Sequence, residues 1–294
     1  MRVHLVDGTW ELFRAHFSKR PDHVSTKGKV LKATVGVVSS MLNLIQDGGE
    51  KPTHLALAFD NPIRSFRNDL FPGYKTESGV EPDLLAQFDE VEEAVAALGL
   101  CVWSMKDFEA DDGLGTGAEV FAATKGVEQI RILSPDKDLA QCLVEGRNAV
   151  TVNRLTLKET TRASFIAERG YSPDSVPDFL ALVGDSADGI PGLEGWGDKG
   201  AASVLAKHPH LEDIPDDPKQ WKATVRGADR LAATLAAGRT DALLYRQLAT
   251  LRTDAPVTRT LESLAWKGVG KGFENWCKKA GADTLWRRAA QLGR

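Results

Sequence analysis

Leu55-Ala56-Leu57-Ala58-Phe59-Asp60 is a run of five apolar residues stopped by a single carboxylate. A run with no polar residue on either face fits a strand buried on both sides, as in a parallel sheet covered by helices. Its terminal Asp then lies at the carboxyl edge of the sheet, where open α/β folds keep their active sites. Val3-His4-Leu5-Val6 stops in the same way at Asp7. Three more acidic clusters, Glu109/Asp111/Asp112, Asp136/Asp138 and Asp185/Asp188, also follow apolar stretches. That many like charges on one edge would repel on the order of several kcal/mol unless cations neutralised them, so the pattern implies bound divalent metal. Ligands that are all oxygen favour Mg²⁺ or Mn²⁺ over zinc.

The 294 residues, 42% hydrophobic and 27% charged, are enough for one large domain or one and a half. Strand-like runs at 2–7, 53–60, 100–104, 129–134 and 148–153 alternate with helix-like stretches at about 30–47, 82–98, 110–125 and 158–169. This alternation predicts an α/β fold with a mostly parallel central sheet flanked by helices. Past residue 170 the strand signals fade, and helical segments are expected at 177–183, 198–207, 221–237 and 239–251. A catalytic α/β domain over 1–172 and a helical subdomain over 173–294 follow. The start turns polar after one strand's length, and no run approaches the ~18 apolar residues of a membrane span, so a cytoplasmic protein without a signal peptide is expected. Cys101, Cys142 and Cys277 form no Cys-x-x-Cys pair and are expected to be reduced thiols.

The net charge of −4 hides a segregation. Residues 195–294 carry 17 Lys+Arg against 11 Asp+Glu, or +6, and residues 1–194 carry 20 against 30, or −10. An acidic half joined to a basic half suits a polyanionic partner gripped by cations and cut at a metal cluster. Between the halves, Gly184-Asp185-Ser186-Ala187-Asp188 leads into Gly192-Leu193-Glu194-Gly195-Trp196-Gly197-Asp198-Lys199. Glycines so spaced let backbone come close to a ligand, and the helix opening at about Asp198 presents amides to an anion. A helix–hairpin–helix at about 177–207 that holds duplex phosphates without reading bases is the expected motif, with Gly192, Gly195, Gly197 and Lys199 as its DNA contacts.

In this order and spacing, Val6-Asp7-Gly8, Phe59-Asp60, Ser65-Phe66-Arg67, Gly73-Tyr74-Lys75, Glu109-Ala110-Asp111-Asp112, Asp136-Lys137-Asp138-Leu139 and Gly184-Asp185-Ser186-Ala187-Asp188 make nearly the whole chain resemble the 5′-nucleases. These are the flap endonucleases and the 5′→3′ exonuclease domain of bacterial type-I DNA polymerases, here looking like a stand-alone member. The resemblance implies a PIN-like sheet, an arch at about 73–95, and hydrolysis of DNA phosphodiesters in replication and repair. It places Asp7, Asp60, Glu109 and Asp111 at a first metal and Asp136, Asp138, Asp185 and Asp188 at a second, with Asp111 able to serve both and Asp112 continuing the motif. Two Mg²⁺ about 3.5–4 Å apart, replaceable by Mn²⁺, would activate a water and stabilise the leaving oxygen. Lys75 and Arg67 match cations that contact phosphates beside the metals, Arg14 matches a further phosphate contact, and Tyr74 is a candidate for stacking on a displaced base. A K⁺ site at the hairpin is implied as well. The partner is DNA with a 5′ flap, nick or gap, bound by a monomer without a membrane.

The departures from the family pattern carry their own expectations. Ser78 stands where an Arg is common, and Glu77 to Glu93 holds seven acids without a Lys or Arg, which predicts an arch that grips a single strand weakly. Gly189 and Gly200 stand where Asn and Thr or Ser are usual. Two rival readings fall away: a phosphatase of the haloacid-dehalogenase type is excluded because Leu5 occupies its nucleophile position, and a non-catalytic scaffold is disfavoured because every mapped ligand is still acidic. An RNA-directed relative with the same metals is the remaining alternative.

Overall fold

A computed structural model describes residues 1–292, which fold as two compact units: residues 1–64, 77–134 and 253 onward form the first, and residues 65–76 and 135–252 the second. The expected division at 172 falls inside the second unit, because residues 135–170 and the helices that follow belong to the same compact body.

In the first unit, strands β1 (Arg2–Asp7), β2 (His54–Asp60), β3 (Cys101–Met105) and β4 (Gln129–Leu133) run parallel in the order β3-β2-β1-β4. Val6 lies opposite Leu57 on one side and Leu133 on the other. The side chains of Val3, Leu5, Val6, Leu55, Leu57 and Phe59 are fully buried, as continuous apolar runs require when helices cover both faces. Four of the five expected strands lie in this unit, and their parallel sense holds. The Lys32–Gln46 and Ala110–Ala122 helices present Val37, Val38 and Met41, and Leu114 and Phe121, to this core. Residues 273–292, which carried no clear sequence signal, add the short helices Phe273–Ala280 and Asp283–Ala289.

Helices occupy most of the stretch read as helix-like at 82–98. Pro82–Leu85 and Phe88–Ala97 are helices whose Leu84, Phe88, Val91 and Val95 are buried, and the fully buried Gln87 accepts the backbone N–H groups of Ala33 and Thr34 at 3.0 and 3.1 Å. These apolar residues recur at helical spacing and make a core-packed element. The acids Asp83, Asp89 and Glu93 are exposed on its other face.

In the second unit β5 (Ala149–Val152) and β6 (Glu159–Thr160) pair antiparallel, and the helices Arg162–Arg169, Val176–Val183, Asp198–Leu205 and Ala228–Ala249 follow. The last is one helix of 22 residues where two were expected at 221–237 and 239–251. Gly238 does not break it, because the missing side chain leaves room for Leu193, whose Cδ2 would lie 2.8 Å from an added Cβ. Trp221, Leu182, Val204 and Leu235 fill the core between these helices. The almost wholly buried Asp178 ties three elements: it accepts from Leu211 N–H at 3.0 Å, lies 3.1 Å from His210 Nδ1 and accepts from Arg246 at 3.2 Å. Arg246 also grips Glu212 through two bonds of 2.5 and 2.6 Å. Among the described residues no helix is long and apolar enough to cross a membrane.

Two outcomes follow from this packing. Ala normally stabilises a helix relative to Gly, but a Cβ at Gly117 would meet the Trp103 ring at 2.6 Å, so Gly117→Ala should cost about 1–3 kcal/mol in urea unfolding. Hydrogen bonding to Arg246 draws the Glu212 carboxyl down to about 2 from an ordinary 4.5, so its contribution to stability is present above the unfolded value and lost as pH falls through 2. Glu212→Gln should therefore lower the urea midpoint at pH 6 and make no difference near pH 2, with a small amplitude because the pair is solvent-screened.

Candidate active site

In the first unit, Asp7 and Asp60 are the terminal residues of adjacent parallel strands. Asp7 caps the Gly8–His16 helix: one carboxylate oxygen accepts Trp10 N–H at 2.8 Å, and the other accepts the Ser134 hydroxyl at 2.7 Å. Asp60 Oδ1 accepts Ala110 N–H at 2.6 Å, which fixes the start of the Ala110–Ala122 helix against β2. Glu109 is the N-cap of that helix and takes the Asp112 N–H, while Asp112 Oδ2 returns to accept Glu109 N–H at 2.9 Å. This reciprocal capping box gives the fully buried Asp112 a structural task, holding Glu109 at the start of the helix. Asp111, in the same first turn, is half-buried. Asp7, Asp60 and Glu109 are each under 10% exposed, so the backbone bonds that orient them also offset much of the cost of burying charge.

The second unit holds the remaining four acids. Asp185 and Ile190 exchange two backbone bonds of 2.8 Å, closing a tight turn in which Asp185 Oδ1 accepts Ala187 N–H at 2.8 Å. The Asp188 carbonyl accepts Lys75 N–H at 3.0 Å, and its carboxylate pairs with Lys75 Nζ at 2.9 Å. Gly189 allows this clasp. It has φ +75°, and a Cβ there would come within 2.2 Å of the Gly73 carbonyl, so the absent Asn reflects missing space and not only added backbone freedom. Asp136 Oδ1 accepts Asp138 N–H at 2.8 Å, and Lys137 between them pairs with Asp185 at 2.8 Å. Burial, then the charges of Asp136 and Asp188, push the Asp138 carboxyl up to about 8. Its Oδ1 is buried without a partner. A group that repels its neighbours and leaves an oxygen unsatisfied fits a divalent cation, and the donors are all oxygen. Among the described residues, no three acids, histidines or cysteines are yet gathered closely enough to hold an ion, and two of these four acids are paired with lysines.

Two expected DNA contacts are corrected. Arg67 is 2% exposed; it donates to the carbonyls of Leu248 at 2.7 Å and Thr250 at 3.0 Å and stacks on Phe66, so it latches the end of the long helix. Tyr74, 3% exposed, is part of the second unit's core and offers no face to a base. Arg14 donates to the buried Glu11 and to Ser40 at 3.0 Å and lies over Trp10. Lys75 keeps a partly exposed ammonium beside the acids.

The Val176–Val183 and Asp198–Leu205 helices flank the glycine turn as expected. Gly192 and Gly195 have φ of +70° and +81°, and a Cβ on Gly192 would meet Val183 backbone at 2.5 Å. Trp196 anchors the turn by donating to Leu231 carbonyl at 3.2 Å. A groove of about 640 Å³ opens beside Gly195, Gly197, Lys199 and Ser203, with Thr224 and Arg226 on its far wall. Arg230 also lies against Gly195. The sequence reading missed Arg226 and Arg230, since nothing local marks two arginines at a helix start as neighbours of a hairpin about thirty residues earlier. It also missed Lys137 as an ion-pair partner, although its place between two acids was a usable signal.

With the fold and these groups in place, comparison with known proteins is informative. Residues 2–170 match the N-terminal resolvase-like domain of 5′-3′ exonucleases, and residues 171–271 match their C-terminal SAM fold. A 5′-3′ exonuclease of Aquifex aeolicus is 32% identical over 90% of this chain and 86% of its own length. DNA polymerase I of Rhizobium leguminosarum is 32% identical over 98% of this chain; that of Pseudomonas aeruginosa is 35% identical over the same share, but the chain spans only 28% and 32% of those relatives. A T5 5′-exonuclease structure with bound zinc aligns with TM-score 0.66 at 17% identity, covering 99% of this chain and 98% of its own, and a Rad2 catalytic core with DNA aligns at 0.64 and 15%, covering 100% and 92%; at such identity both speak to the fold alone. Two family domains spanning residues 2–271, together with a similar exonuclease of nearly the same extent, establish that this chain belongs to the 5′-3′ exonuclease family.

Proposed function

We propose that this protein is a divalent-metal-dependent, structure-specific 5′ nuclease that hydrolyses DNA phosphodiesters at 5′ flaps, nicks or gaps during replication and repair. The observation that carries the proposal is the acid set of the second unit: Asp138 has a buried oxygen without a partner and feels the charges of Asp136, Asp185 and Asp188, and Lys75 is clasped to Asp188. Asp7, Asp60, Glu109 and Asp111 would hold one Mg²⁺ and Asp136, Asp138, Asp185 and Asp188 another, with Mn²⁺ able to substitute. Bound ions of this kind supply an activated water and neutralise charge on the phosphate, so no side-chain nucleophile is needed. Asp112 keeps Glu109 oriented, and the turn closed by Asp185 and Ile190 sets the direction of Asp188. Lys75 places a positive charge where the phosphate gains negative charge, and its backbone bond to Asp188 holds it at the acids. The duplex backbone is held at the groove of Gly195, Gly197 and Lys199, where a K⁺ ion is a candidate bridge to a phosphate. Action as a monomer in the cytoplasm completes the proposal.

Cleavage of a 5′-labelled flap duplex is the deciding assay. Activity should appear with Mg²⁺, vanish in EDTA and fall at least a hundredfold in Asp185→Asn; unchanged cleavage in either would overturn the metal mechanism. Lys75→Ala should lower the single-turnover rate by roughly a hundredfold or more while weakening duplex binding less than threefold. Equal losses in rate and affinity would make Lys75 a binding residue only.

A further inference from the structure

Lys137 has no part in the reaction proposed above, yet it sits in Asp136-Lys137-Asp138 with its ammonium 2.8 Å from Asp185 Oδ2. The other oxygen of Asp185 is committed to Ala187 N–H at 2.8 Å. Oδ2 carries no bond to Ala187 and is the freer oxygen to meet a metal ion, and Lys137 holds it. A divalent ion bound by the same oxygen would stand within a few ångströms of the ammonium, and their repulsion forbids both from keeping full contact. The two partners differ in freedom. The Asp185 side chain is 12% exposed and anchored by its turn, whereas that of Lys137 is 51% exposed and can swing into water at little cost.

We infer that Lys137 is a cationic placeholder at the candidate metal site: its ammonium neutralises Asp185 until a divalent cation displaces it, so that Lys137 sets the cation concentration at which the site loads. This rests on Asp185 being a metal ligand, as proposed above. Lys75 and Asp188, 2.9 Å apart, make a parallel pair, but the backbone bond from Lys75 N–H to the Asp188 carbonyl keeps that lysine at the site. Lys137 donates no backbone bond of this kind to Asp185, so its whole contribution is a charge that must leave. It discourages loading while sparing the four acids part of their mutual repulsion before an ion arrives.

The test uses Mn²⁺ alone, without DNA, following free Mn²⁺ by electron paramagnetic resonance in the full-length protein. Lys137→Gln should tighten the Asp185-dependent class of Mn²⁺ sites by about threefold to tenfold, since it removes both a competitor and a like charge. Lys137→Arg, which keeps the charge and can still pair, should bind no more tightly than the unsubstituted protein. Unchanged or weaker binding in Lys137→Gln would overturn the placeholder role, provided that Asp185→Asn weakens Mn²⁺ binding. If Asp185→Asn binds Mn²⁺ like the unsubstituted protein, Asp185 is not a ligand, and the metal assignment fails together with the inference.

Discussion

Carboxylates held close together repel, and the local structure at several acids of the candidate site counters that repulsion in one of two ways. In the first unit the answer is backbone: Asp7, Asp60 and Glu109 accept N–H groups at helix starts, where free amides and the helix dipole favour negative charge. In the second unit the answer is ammonium charge: Lys75 and Lys137 each pair with one acid, and Asp138 is left with a buried oxygen unmatched. Backbone amides are permanent and orient a ligand. Ammonium groups can be exchanged for another cation, and this makes the second set the responsive one.

Close backbone approach is the companion device. Gly189 lies against the Gly73 carbonyl, and Gly192 against Val183, at distances no side chain would allow. The first contact brings Lys75 to Asp188, and the second folds the glycine turn onto the Val176–Val183 helix. The glycines of this segment thus act through the space they leave as much as through the φ angles they permit. Arg67 and Tyr74, neighbours of Lys75 in the chain, are spent on holding the long helix and filling the core. Only the lysine of the Gly73-Tyr74-Lys75 segment keeps a polar head at the acids.

Most of the sheet could be read from the chain because burial on both faces leaves an unbroken apolar run, and a carboxylate ending such a run has few roles open to it. Asp7 and Asp60, at the ends of β1 and β2, were legible for that reason. Cations were not. An Arg or Lys is compatible with solvent, with a phosphate or with a carbonyl across the fold, and only its neighbours in space decide. Arg67 and Tyr74 look like ligand-facing residues in sequence and are both almost wholly buried. The Phe88–Ala97 helix shows the converse, since its regular apolar stripe was legible beneath its exposed acids.

The sequence by itself determined the strand order's parallel sense, the positions of the acids at the ends of elements, and the family, because these depend on local periodicity and on chemistry that tolerates no substitute. Tertiary structure alone decided which charges meet. Lys137 reaches Asp185, forty-eight residues further along, and Asp112 turns back to accept Glu109 N–H at the start of its own helix. The physical reason is that a Coulomb interaction falls with distance and is screened by water, so its partner is chosen by the packing of the backbone and not by order along the chain.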